Sequence, residues 1–298
     1  METTELLKKV RKIEIKTRGL SNQIFSGEYH TAFKGKGMTF SEVREYQFGD
    51  DVKDIDWNVT ARFNSPYVKV YEEERELTVM LLVDVSASKL FGSTVQLKQE
   101  LITELSAVLA FSAIQNNDKI GVIFFSDIIE KFIPPKKGKG HILRIIRELI
   151  NFTPEHKETN IAQALQYFTN VIKKRSIAFV ISDFIDSSFL QEGLKGEEAI
   201  KIANKKHDVV ALQVYDQREL DIPSLGLVKM KDSETGRFLW VDTSNKKVRE
   251  GYSKWNSIRQ ATLKKVFSKS GVDSVAIRTD QSYVKPLMNF FKRRGSRR

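Results

Sequence analysis

Two aspartates and three hydroxyl side chains stand where apolar runs of this chain end. Leu77–Asp84 (LTVMLLVD) is continuously apolar and closes on an acid, followed by Val85-Ser86-Ala87-Ser88. Because Asp84, Ser86 and Ser88 alternate, one loop can aim all three oxygens at a single point. Thr159 lies 71 residues beyond Ser88, just before Asn160, where its hydroxyl opens a helical pattern. Asp183 ends the apolar run IAFVIS 24 residues later. All five are hard oxygen donors without imidazole or sulfur, a set that suits Mg²⁺ (or Mn²⁺) in octahedral geometry. Two aspartates balance a divalent charge, and neutral hydroxyls leave the ion electrophilic. An open coordination position would then accept an incoming carboxylate. That is a binding device, and no neighbouring residue reads as an activated base. The same residues can also end strands and cap helices with no ion present, and spacing alone leaves both readings open.

The elements that must position these residues follow an alternating pattern. After the strand at Leu77–Asp84, Gln96–Gln115 carries Leu97, Leu101, Leu105, Val108 and Leu109 at helical spacing. Lys119–Ser126 reads as a strand, His141–Asn151 and Asn160–Lys173 as helices, and Ser176–Phe184 as a strand. Gly196–Lys206 is helical and Asp208–Tyr215 extended. Short apolar strands separated by helices imply crossovers and a mostly parallel sheet with helices on both faces, an α/β fold of Rossmann-like type. In such a sheet, ligands sit beyond the carboxyl ends of the strands where the strand order reverses. Residues 227–243 read as a hairpin around Ser-Glu-Thr-Gly, inserted before a long helix at Val248–Lys269. Val272–Arg278 and a short amphipathic helix close the chain. The division expected is an N-terminal extension over 1–76, packed on a main domain over 77–298, with one helix at about Thr4–Lys12 and extended pieces later.

Composition removes several classes of function. The 298 residues contain no cysteine, so disulfides, thiolate metal sites and cysteine nucleophiles are excluded. No apolar run approaches the roughly 18 residues of a membrane helix, and the first residues lack the apolar core of a signal peptide. A soluble, cytoplasmic protein is expected. The net charge is +11, but Lys285, Lys292, Arg293, Arg294, Arg297 and Arg298 in the last fourteen residues leave +5 when set aside. A frayed, solvated tail explains that excess better than nucleic-acid or membrane attachment through Lys292–Arg298. Gly35-Lys36-Gly37 and Gly138-Lys139-Gly140 lack the spacing of a phosphate-binding loop, and Ser86 lacks the surroundings of a nucleophile elbow. His30, His141, His156 and His207 show no ligand spacing and read as surface or loop residues. The acidic run Asp50, Asp51, Asp54 and Asp56 departs from a calcium-loop pattern. It reads as a turn with Arg44, Lys53 and Arg62 available for ion pairs. A metal-dependent phosphoester hydrolase using Asp84, Asp183 and this cluster is the alternative activity; it lacks a convincing base.

The D-x-S-x-S after a buried strand, the Thr-Asn opening a helix and the Ser-Asp ending a strand resemble the metal-ion-dependent adhesion site of von Willebrand factor A domains. Phe40–Arg62 (FSEVREYQFGDDVKDIDWNVTAR) and Val68–Glu76 (VKVYEEERE) narrow the resemblance to an uncharacterised bacterial family of A-domain-like proteins, whose genes commonly neighbour those of MoxR-type AAA+ ATPases. The resemblance implies a von Willebrand A-like fold and a metal held by Asp84, Ser86, Ser88, Thr159 and Asp183. It implies too a partner protein presenting a glutamate or aspartate to the ion, and a non-enzymatic role as adaptor for such an ATPase in protein remodelling or maturation. Many members carry N-terminal membrane helices, which this sequence lacks. The usual third loop reads Ser/Thr-Asp-Gly. Here Phe184 follows Asp183, so the aspartate's role carries over, whereas the loop conformation that glycine allows is not expected to.

Overall fold

The computed structural model describes residues 38–73, 77–90, 97–189, 193–231 and 236–296. The helix expected at Thr4–Lys12 lies outside them. The chain divides into two units, residues 33–77 and the remainder.

In the smaller unit, β1 (Met38–Glu45) pairs antiparallel with β2 (Tyr67–Glu73), with a bulge between Phe40 and Glu42. A short helix, α1 (Trp57–Phe63), lies between them. Three acids of the run, Asp50, Asp51 and Asp56, serve this local architecture. Asp50 accepts two hydrogen bonds from the Arg44 guanidinium, at 2.7 and 2.8 Å, and one from Gln47 N. Asp51 caps the turn at Val52–Asp54, and Asp56 caps α1 through Asn58 N and Val59 N while pairing with Lys69 at 3.4 Å. Arg44 is thus one of the partners expected from sequence, and Lys69 takes the place expected of Lys53 or Arg62.

The larger unit is built on a six-stranded sheet in the order β10-β7-β6-β3-β4-β5. Its strands are β3 (Thr78–Asp84), β4 (Lys119–Phe125), β5 (Ile129–Lys136), β6 (Ile177–Ser182), β7 (Asp208–Tyr215) and β10 (Asp273–Arg278). All neighbours run parallel except β4 and β5. Strand β5 was not expected from sequence: Pro134 and Pro135 argue against a strand, and proline is tolerated here because β5 is an edge. The helices are α2 (Lys98–Gln115), α3 (Lys139–Asn151), α4 (Ile161–Val171), α5 (Lys195–Lys206), α6 (Lys246–Lys269) and α7 (Val284–Ser296). Between α5 and α6 a separate hairpin, β8 (Leu227–Lys231) and β9 (Phe238–Asp242), appears where the sequence placed it.

Strand alternation sorts the core into two layers. Met80, Leu82, Ile123, Phe125, Ala178, Val180, Val209 and Ala211 face α4, α5 and α6 through Leu165, Phe168, Ile200, Leu263 and Phe267. The alternate residues, among them Leu81, Val83, Phe124, Phe179 and Leu212, are fully buried on the opposite face, where α2 packs across β3, β4 and β7. Helix α2 is buried on nearly all sides, as expected of a helix whose apolar residues run around its circumference. The C-terminal helix corrects one expectation. It stays helical through Ser296, with Phe290 and Phe291 buried and Arg294 paired to Asp208 and Asp273, so the tail through Ser296 is docked, not frayed.

Candidate functional site at the carboxyl edge of the sheet

The chain leaves β3 toward β4 on one side and later returns to lay β6 and β7 on the other. The crevice between the carboxyl ends of β3 and β6 is therefore the switch point of the sheet, where connecting loops diverge and leave room for a ligand. Asp84 ends β3 and Ser182 ends β6, and their side chains meet there: Ser182 Oγ donates to Asp84 Oδ2 at 2.6 Å. Asp84 Oδ1 accepts from Ser86 N at 3.0 Å, which folds the loop back so that Ser86 Oγ and Ser88 Oγ stand 3.1 Å apart. Asp183 Oδ1 accepts from Ile185 N at 2.9 Å, and its Oδ2 accepts from the Lys98 ammonium at 2.8 Å.

The second loop is tied to the first by Ala87 N, which donates to Lys157 O at 3.1 Å. Thr159, half-buried, follows two residues later. It does not itself cap α4, as the sequence suggested. Asn160 does, accepting from Gln163 N, which leaves the Thr159 hydroxyl outside the helix. The third loop is tied to the second by Asp186, whose carboxylate accepts from Ile161 N and Ser188 N, both at 2.7 Å. The structure thus brings Asp84, Ser86, Ser88 and Asp183 together and holds the Thr159 loop beside them.

Phe184 corrects a second expectation. Its φ is +55°, in the left-handed region usually left to glycine, so the loop adopts the conformation that this substitution was expected to forbid. Strain at one such residue costs on the order of 1–3 kcal/mol. Burying a phenylalanine contributes comparably or more. Phe184 is 2% exposed and packs edge-on against Phe189 and Phe267, and Phe184 N donates to Ser182 Oγ. Burial wins over strain.

Electrostatics at the site rest on residues the sequence reading passed over. Lys98, 1% exposed, pairs with both Asp183 and Glu219. Glu219 is aimed by a capping box: its other oxygen accepts from Asp216 N at 3.0 Å, while Asp216 caps the turn that carries it. Burial works against ionisation of Asp183, but the Lys98 ammonium outweighs it and holds the carboxyl below its usual range. Burial likewise opposes the charge on Lys98, and Asp183 and Glu219 raise it above the ordinary lysine value. Among the described residues, Asp84 has hydrogen bonds from neutral donors only. Burial, then the neighbouring Asp183 charge, push it up to about 6. The signal for Lys98 lay in its position: with Leu101, Leu105 and Val108 it occupies the apolar stripe of α2, where a lysine needs a buried partner. His207 was also misread as a surface residue. It is fully buried, bonded to Ser176 and stacked on Phe168.

Two outcomes follow. Lys98→Met leaves Asp183 and Glu219 buried without their hydrogen-bonded cation, with only the more distant Arg259 charge remaining, and urea unfolding in EDTA should show a loss of about 3–5 kcal/mol; a loss below about 1 kcal/mol would contradict the charge balance described. The second concerns pH. Asp84 has a folded-state pKa near 6, above its ordinary value of 3.8, so its contribution to stability is full below the ordinary value and lost as pH rises through 6. In EDTA, the stability difference between Asp84→Asn and wild type should therefore shrink as pH falls from about 7.5 to about 5. His207, lowered to about 4, acts in the opposite direction, but equally in both proteins. A pH-independent difference would refute the assignment.

Comparison with known proteins places this geometry. An uncharacterised protein of Mycobacterium tuberculosis (strain ATCC 25618 / H37Rv) is 26% identical over 302 residues, covering 99% of this chain and 92% of its own length. An uncharacterised protein of Mycobacterium bovis has the same identity and coverage. Among solved structures, an aerotolerance-related membrane protein of Bacteroides fragilis matches with a TM-score of 0.50 at 18% identity, over 73% of this chain and 99% of that one. A von Willebrand factor type A protein of Catenulispora acidiphila matches with a TM-score of 0.40 at 9% identity, over 77% and 43%. The fold is von Willebrand A-like. Residues 42–262 match the family described as "Protein of unknown function DUF58", and with nearly three quarters of its length so matched, the chain belongs to that family.

Proposed function

We propose that this protein is a non-enzymatic docking module. In this reading Asp84, Ser86, Ser88, Thr159 and Asp183 hold a Mg²⁺ (or Mn²⁺) ion to which a partner protein offers a glutamate or aspartate. The observation that carries the reading is the imbalance at Asp84: a buried carboxylate beside a second one, with its own hydrogen bonds from neutral groups only. Lys98 compensates Asp183 and Glu219, and a cation at the loop edge supplies what Asp84 lacks.

The hydroxyl geometry agrees. Adjacent ligands of an octahedral ion with metal–oxygen distances of about 2.1 Å stand about 3.0 Å apart, and Ser86 Oγ and Ser88 Oγ are 3.1 Å apart. Both aspartates already orient backbone amides and side chains around the crevice, so they support the hydroxyls and would meet the ion at least partly through water. When bound, the ion supplies a Lewis-acidic position for a carboxylate. Asp84, the crevice carboxylate whose pKa is raised, is turned onto Ser86 N and Ser182 Oγ and serves in this reading at the metal and not as a general base, which favours docking over phosphoester hydrolysis. The partner class implied by the family resemblance is a MoxR-type AAA+ ATPase, with this chain as its adaptor in protein remodelling or maturation. No helix among the described residues is long and apolar enough to cross a membrane.

The test is thermal unfolding of wild type and Asp84→Ala across Mg²⁺ and Mn²⁺ titrations. Ligand at about 100 times its dissociation constant stabilises the folded state by about 2.7 kcal/mol, so wild type should show a saturable rise in Tm that the variant lacks. Equal behaviour of the two proteins would sink the metal site.

A further inference from the structure

The β8–β9 hairpin is a two-stranded sheet separate from the main one. Such a ribbon is marginal in water unless something covers a face of it. Here both faces carry apolar side chains. Register places Lys229 opposite Trp240 and Lys231 opposite Phe238 on one face, and Val228 opposite Val241 and Met230 opposite Leu239 on the other. Phe238 is 58% exposed, Leu239 67%, Trp240 62% and Leu227 66%. The lysines stay on the aromatic face, with the Lys229 ammonium 4.3 Å from the Phe238 ring centre and 5.9 Å from that of Trp240.

The surface continues onto α6. Arg249 Nη1 donates to Thr243 O at 2.7 Å and Ser244 O at 2.8 Å, fastening the end of the hairpin to the start of the helix. Val248, Trp255 and Ile258 are exposed at helical spacing, and Lys247 and Lys254 are exposed along the same side of the helix, while Lys246 pairs with Glu250 at 3.6 Å. Trp255 lies over the buried Arg259 guanidinium, 5.3 Å from its ring centre, and Arg259 Nε and Nη1 have no hydrogen-bond partner among the described residues. Exposed aromatics beside cations are the makings of an interface hot spot; the buried Arg259 supports Trp255 from beneath and faces Asp183 and Glu219.

We infer that the β8–β9 hairpin and the exposed face of α6 form a second docking surface for an acidic segment of a partner protein bearing large apolar side chains. The charge on α6 selects an acidic occupant. The aliphatic side chains Leu227, Leu239 and Ile258 offer little to a nucleic acid, which is read by stacking and polar contacts. A protein segment satisfies both the lysines and the apolar faces.

The experiment uses the full chain in EDTA, so that the crevice is silent, and fluorescence anisotropy of a labelled synthetic peptide of glutamate, leucine and phenylalanine. A twin peptide with glutamine for every glutamate is the control. The acidic peptide should bind in a salt-sensitive manner and the twin at least about tenfold more weakly. Trp240→Ser and, separately, Lys254→Glu should each weaken binding about tenfold while leaving any Mn²⁺-dependent rise in Tm as in wild type, which also shows that both variants fold. Equal binding of the two peptides, or no effect of either substitution, would overturn the inference. So would tighter, Trp240-dependent association with phosphatidylglycerol vesicles or with duplex DNA.

Discussion

Everything at the carboxyl edge of this sheet depends on how buried negative charge is compensated. Asp84, Asp183 and Glu219 converge on one end of the molecule. Leaving a carboxylate buried and unpaired costs several kcal/mol, so their arrangement must be answered by cations or by proton uptake. Lys98 pairs with two of them from the first turn of α2, and the buried Arg259 guanidinium adds a second positive charge near both, though burial still holds Glu219 above its ordinary value. Asp84 is left to neutral donors and takes the penalty as a raised pKa. That division of labour gives the crevice its character: Asp183 and Glu219 are offset from within the protein, while Asp84 is not.

The rest of the fold serves that arrangement. The reversal of strand order between β3 and β6 opens the crevice, and three short ties hold its loops in register. Ala87 N reaches Lys157 O, Asp186 reaches Ile161 N, and Ser182 Oγ reaches Asp84. Phe184 locks the third loop by a different means, spending burial against backbone strain. On the proposed reading, rigid positioning of this kind would keep a coordination position open, and docking there would ask only that the oxygens be held.

Much of this was legible in the sequence because it depends on local pattern. Continuous apolar runs closing on Asp84 and Asp183 marked parallel strands buried on both faces, and the alternation Asp84-Ser86-Ser88 marked a loop that gathers oxygens. Residues with long-range roles were harder to see. Lys98 finds Asp183 and Glu219 only through tertiary packing, although its place on an apolar helical stripe was a visible clue. His207 read as a surface or loop residue because it shows no ligand spacing, whereas tertiary contacts with Phe168 and Ser176 help bury it. The left-handed Phe184 contradicts local propensity outright, since the aromatic packing that compensates it comes from residues 189 and 267. The edge strand β5 was hidden by prolines that an interior strand would not tolerate.

The most direct test of the account is a crystal structure with Mn²⁺ and its anomalous difference map. The account predicts one strong peak in the β3–β6 crevice, bonded to Ser86 Oγ and Ser88 Oγ at about 2.1–2.2 Å, with the Lys98 ammonium still on Asp183 and Glu219. A map with no peak in the crevice at saturating Mn²⁺, or with the ion bound only elsewhere, would contradict it.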